Sequence, residues 1–158
     1  MGSTFIVVLA LLVVLALWGA AVYNRLRLLR NRVENAWSQI DVQLKRRHDL
    51  IPNLVEVARG YMQHEASTLE AVARARSQAV QASEALRGHT GQAQALGALA
   101  AAEQALGSSL GRLMVVAEAY PELKADAQMQ SLSEEIASTE NRIGFARQAY
   151  NDEVMAFN

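Results

Sequence analysis

From Phe5 to Val22 the chain runs for eighteen residues without one charged or strongly polar side chain. With Thr4 and Tyr23 this reaches the roughly 20 residues that an α-helix needs to cross about 30 Å of hydrocarbon. A core helix of a water-soluble domain carries a polar stripe, and this run has none. Trp18 and Tyr23 stand at its C-terminal end, where amphipathic rings settle among lipid headgroups, and Arg25, Arg27, Arg30 and Arg32 follow at once. These six residues are expected to form the membrane anchor and its topology signal. The leader Met-Gly-Ser-Thr carries no basic side chain, so the positive-inside rule puts the N-terminus outside and everything after Tyr23 in the cytoplasm. A cleaved signal peptide is the competing reading, because Gly19 and Ala21 form a small-x-small pattern, but the basic n-region is missing. N-myristoylation needs Ser or Thr where Ile6 stands.

The remainder has room for one modest domain. Apolar residues make up 51% of the 158, charged residues 20%, and only two are proline, which is the composition of a folded helical protein. The absence of cysteine excludes disulfides and thiolate metal sites, so apolar packing must hold the fold. The net charge of -1 hides a polarity. Between Asn24 and Asp49 seven Arg or Lys face three acids, whereas from Ala101 onward four basic residues face nine acids. Such a division could pair neighbouring subunits, although exposed ion pairs contribute only about 0 to 1 kcal/mol each.

Helical periodicity dominates the rest. Leu26, Leu29, Val33, Trp37, Ile40 and Leu44 recur every three or four residues, so the membrane helix is expected to run on without a break into the soluble part. Arg46 to Pro52 is read as an interruption, with Asp49 as N-cap and Pro52 in the first turn of a second helix; a single kinked helix is the alternative. The second helix is expected from about Leu50 to Leu86, and Gly88-His89-Thr90-Gly91 as the connection to a third, about Gly91 to Ala119. Gly107 and Gly111 suggest close helix packing there. Tyr120-Pro121 breaks the chain, and Asp126 caps a last helix along Met129, Leu132, Ile136, Thr139, Ile143, Ala146, Tyr150 and Val154. The expected fold is all-α: residues 1–23 as the transmembrane helix and residues 24–158 as an antiparallel up-and-down four-helix bundle.

Site chemistry is sparse. His48, His64 and His89 are scattered, and His64-Glu65-Ala66-Ser67-Thr68 has Thr68 where a zinc protease needs its second His. Di-iron Glu-x-x-His pairs are missing, as are a phosphate loop, a Gly-x-Ser-x-Gly elbow and a cysteine nucleophile. An enzyme would require His48, Asp49, His64 and Glu65 to converge in space. No catalytic, cofactor or metal site is expected. Lys45, Arg46 and Arg47 are read as a candidate interaction surface, with no nucleic acid as partner.

The segments Tyr23 to Leu26, Leu29 to Val33, and Asn35-Ala36-Trp37-Ser38-Gln39-Ile40-Asp41 through Arg46-Arg47-His48-Asp49-Leu50-Ile51-Pro52-Asn53-Leu54-Val55 closely resemble the LemA family. Further matches are Gly60-Tyr61, His64-Glu65, Ala119 to Ala125 around Tyr120-Pro121, Thr139 to Ile143, Ala146 to Gln148, and Tyr150-Asn151. The resemblance implies a bacterial protein with an N-terminal membrane helix and a helical bundle, and it carries no catalytic residues. It also implies a Phe-Pro and an apolar tail beyond Phe157-Asn158. The resulting expectation is a single-pass protein of the bacterial cytoplasmic membrane, working without a cofactor as a self-assembling, homo-oligomeric scaffold. A regulatory adaptor for another membrane protein, such as a protease or sensor, is the alternative.

Overall fold

A computed structural model describes residues 2–87 and 93–157. Five helices account for their regular structure: α1 (Gly2–Tyr61), α2 (Ala66–Leu86), α3 (Ala93–Ala117), α4 (Pro121–Ala125) and α5 (Ala127–Phe157), with no strand among the described residues. The chain forms two compact units, one of Met1–Ile40 with Phe145–Asn158 and one of Asp41–Gly144, a division different from the expected boundary at Tyr23. The expected loop Gly88 to Gly91, with Thr90 as cap, lies outside the described residues, as does His89.

In the first unit, α1 opens with one long apolar stretch. It is long and apolar enough to cross a membrane, and none of its apolar window is buried. Further along, Leu29, Val33 and Trp37 become half-buried and Ile40 buried, while Ala146, Tyr150 and Val154 of α5 are half-buried at matching helical spacing. Trp37 meets Tyr150 edge to face, with ring centroids 5.7 Å apart and planes at 69°. That geometry places the positive edge of one ring against the negative face of the other.

The second unit has a continuous apolar core. Ile51, Leu54, Ala58 and Met62 of α1 pack with Leu69 and Val72 of α2, Leu106 and Leu113 of α3, Leu123 of α4, and Met129 and Ile136 of α5. Partner positions follow a consistent order. Along α1, Asp41 meets Ser83 and Arg87 of α2, whereas His48 meets Arg76. Arg47 lies beside Glu140 of α5 and Tyr61 beside Asp126.

Two expectations about α1 are corrected. Asp49 does not cap a new helix at Pro52: α1 passes straight through Pro52 as one element. Proline has no N–H, so the carbonyl four residues back, that of His48, loses its helical partner. Arg76 of α2 replaces it, donating from Nε to the His48 oxygen at 2.6 Å. The second helix therefore does not begin near Leu50. The break comes instead at Met62 to Glu65, where Met62 is fully buried and Tyr120 donates a long hydrogen bond of 3.5 Å to Glu65.

The remaining boundaries agree with expectation to within a few residues. Pro121 opens α4, where a first-turn residue has no intrahelical N–H bond to lose. Asp126 caps α5 by accepting the Met129 N–H at 2.9 Å. The expected close packing at Gly107 and Gly111 is corrected as well. A Cβ at Gly111 would meet nothing within 4 Å, and one at Gly107 would touch only the Arg47 guanidinium, at an ordinary 3.7 Å.

Candidate functional site

The buried stripe of α1 in the second unit reads Leu44, Ile51, Leu54, Ala58, Met62, and at helical spacing it needs a member near position 47 or 48. Arg47 and His48 occupy that place. On α3 the stripe Leu99, Leu106, Leu110, Leu113 likewise has Glu103 in its gap. Three ionisable side chains thus fill core positions of two neighbouring helices. Arg47 and His48 are each 5% exposed at the side chain and Glu103 is 12% exposed.

Both oxygens of Glu103 are engaged. Arg47 Nη1 donates to Oε2 at 3.1 Å, and His48 Nε2 lies 2.6 Å from Oε1. The exposed carboxylate of Glu140 stands 3.7 Å from the other Arg47 amino group. Arg47 Nε and the Gln43 side-chain oxygen are buried without a protein partner. Arg76, bound to the His48 carbonyl, brings α2 to the same level, and fully buried Thr139, which donates to the Ile136 carbonyl, does so for α5. The result is a polar layer through an otherwise apolar core.

Such a layer has a definite energetic character. Burying these charges costs several kcal/mol per ion, which the pairing roughly offsets, so net stability is not what the layer supplies. Shifting α3 along α1 would take Glu103 away from both Arg47 and His48 and leave Arg47 only the exposed Glu140. A buried polar residue in a coiled coil fixes register in this way.

The structure separates the expected interaction residues. Lys45 and Arg46 are exposed, and Arg46 pairs with Glu135 of α5 through Nε, at 3.0 Å, and through an amino group. Arg47 is corrected from surface to core. Within the chain, Arg46 pairs with Glu135, and Arg47 with Glu103 and Glu140. Trp18, Tyr23, Arg25, Arg27, Arg30 and Arg32 are all exposed along α1, with Arg30 bonded to Glu34 at 2.9 Å.

The four groups that an enzyme reading required do not converge. His48 faces Glu103, Asp49 and His64 are exposed, and Glu65 takes its bond from Tyr120. No grouping of His, Asp and Glu suited to a metal ion occurs among the described residues. A surface depression of about 260 Å³ lies beside Arg59, Met62, Gln63, Ala66, Leu69 and Glu70, none of which belongs to the polar layer. Near it, the Asp126 carboxyl is held below its ordinary value, first by the Met129 N–H and then by the Tyr61 hydroxyl. The Tyr61 phenol is raised by donating to that carboxylate and by its charge.

Sequence periodicity alone could have exposed the layer. A core stripe that steps from Leu44 to Ile51 has to pass over Arg47 and His48, yet the three consecutive basic residues drew them to a surface reading. Glu103 lacked even that signal, because α3 is rich in Ala and its stripe is blurred.

No curated protein matches this chain. A sequence model of the LemA family matches residues 36–158, which include all of the polar layer and most of the chain. The protein belongs to the LemA family.

Proposed function

We propose that this protein is a non-enzymatic, membrane-anchored scaffold: one transmembrane helix holding an antiparallel up-and-down four-helix bundle at the cytoplasmic face of a bacterial inner membrane. The observation that carries the reading is the apolar opening of α1, none of which is buried among the described residues. Seventeen apolar side chains left in water would forfeit much of their transfer free energy, about 1.5–3 kcal/mol for each large one, so lipid is the environment that accommodates them. Four arginines directly after the span favour the N-out orientation. The reversed order of partners along α2 and α5 relative to α1 supports the bundle topology.

Self-association is the scaffold's proposed activity. It is supported by large apolar side chains left in water, Val42 and Val115 in the second unit. The test is the mass of the detergent-extracted protein, combined with alkaline carbonate washing of membranes and protease added outside intact cells. An integral, externally protected particle heavier than one chain is expected. Release by carbonate would remove the anchor, cleavage of the bundle from outside would reverse the orientation, and a strictly monomeric particle would end the self-assembly reading.

A further inference from the structure

We propose that the C-terminal part of α5 is a second membrane contact, in which Met155 and Phe157 meet the anionic headgroup layer beside Arg25, Arg27, Arg30 and Arg32. The proposal rests on the transmembrane, antiparallel reading above. It begins from the contact of Trp37 with Tyr150, which sets α5 level with α1 inside the first unit. Both helices rise about 1.5 Å per residue, so antiparallel travel from that contact brings Phe157 level with Arg30 and Met155 level with Arg32. Arg30 stands seven positions beyond Tyr23, the end of the apolar span, which is about 10 Å along the axis. The headgroup region extends roughly 5–8 Å beyond the hydrocarbon on each side, and interfacial helices bury their apolar face about 5–10 Å deep at that boundary. Phe157, at the level of Arg30, therefore stands at the outer edge of that layer, and Met155, level with Arg32, about 3 Å farther out.

Charge and polarity are layered in the sense a bilayer requires. Arg25, Arg27, Arg30 and Arg32, all exposed, fill the zone next to the span. The acids of the unit stand farther out: Glu34 on α1, and on α5 Asp152 and Glu153, level with Asn35 and Glu34. They lie about 16 Å or more beyond Tyr23. Within the basic zone α5 leaves apolar side chains in water, Met155 at 69% exposure and Phe157 at 41%. Phe157 continues the stripe Ala146, Tyr150, Val154 past the point where α1 covers it. Each basic residue near an anionic surface adds about 1 kcal/mol of attraction, which on α1 draws this zone of the first unit toward the headgroups.

The chain contains no cysteine, so single substitutions can carry a nitroxide label at one defined place. Full-length variants Leu12→Cys, Phe145→Cys, Met155→Cys and Phe157→Cys are labelled and reconstituted into vesicles of phosphatidylglycerol and phosphatidylcholine, or of phosphatidylcholine alone. Collision with oxygen reports lipid, and collision with an aqueous nickel chelate reports water. The expected result is a loss of nickel collisions at positions 155 and 157 in the anionic vesicles, weaker in phosphatidylcholine, with position 145 fully aqueous and position 12 deep in both. Labels at 155 and 157 as aqueous as that at 145, with position 12 still deep, overturn the second contact and leave the anchor standing. An aqueous label at position 12 overturns the anchor and this proposal together.

Discussion

Arg76 donates its Nε–H to the carbonyl oxygen of His48 at 2.6 Å, the acceptor that a residue with an N–H at position 52 would otherwise bind. Pro52 thus opens a vacancy in the α1 ladder and α2 fills it. An interior proline costs a helix about 3 kcal/mol or more, through a lost bond and a ring clash, and only the first of these is relieved here.

This relationship predicts a coupling. Arg76→Leu should destabilise the protein by about 1.5–3 kcal/mol, the range for a charge-assisted hydrogen bond. In a Pro52→Ala background the new amide takes the His48 carbonyl, and the same substitution should cost clearly less. Denaturant unfolding of the four proteins in detergent, followed by circular dichroism, measures the cycle. Equal costs in both backgrounds would show that Arg76 stabilises α1 by some other route.

The polar layer makes a second prediction. Glu103→Gln leaves the buried Arg47 guanidinium only the exposed Glu140 carboxylate at 3.7 Å and should cost up to about 3–5 kcal/mol. Replacing Arg47, His48 and Glu103 together by Leu should restore most of that stability, because the desolvation cost disappears with the charges. If the layer acts as a register device, the triple variant should instead broaden the amide and methyl NMR spectra through alternative packings. A triple variant with a single sharp native spectrum would deny the layer that role.

Helix α3 carries glycines that packing does not require. Gly111 is exposed with open space where a Cβ would stand, so Gly111→Ala should raise stability by up to about 1 kcal/mol. Gly107→Ala should also be accepted, since its Cβ would only touch the Arg47 guanidinium. A fall in melting temperature for Gly111→Ala would reveal a close approach that this fold does not contain.

The Asp126 cap predicts a pH dependence. Its folded value lies below the ordinary 3.8, so the cap contributes fully above that value and is lost as pH falls through the lower, folded one. Asp126→Ala should therefore lower the melting temperature at neutral pH, and the gap from the wild type should close as pH drops below about 4. Tyr61 has the opposite sign: raised above its ordinary 10.0, it contributes below that value and ceases to contribute as pH climbs through the folded one. Tyr61→Phe should accordingly differ least from the wild type in strong alkali. A gap for Asp126→Ala that stays constant from neutral pH into acid would refute the carboxylate cap.

Much of the architecture was legible because it is local. The apolar run Phe5 to Val22, the stripe along α5, the Tyr120-Pro121 break and the Asp126 cap each involve residues within a turn or two of one another. Local signals misled where a distant residue changed their meaning. Pro52 reads as a helix start until Arg76, twenty-four positions away, is seen to satisfy the carbonyl that the proline abandons. Met62 to Glu65 carries weaker breaking signals, yet the chain turns there, with Met62 buried in the core.

The order of side chains along the chain was enough to determine that its described regular parts are helical and that its first helix opens on a run long and apolar enough to cross a membrane. Periodicity and transfer free energy depend on side chains alone, and both are written in one dimension. Tertiary structure decided that Arg47 and His48 belong inside and that Glu103 is their partner. A charge is stable in a core only if its counter-charge arrives from elsewhere, and where α3 comes to lie against α1 is settled by packing.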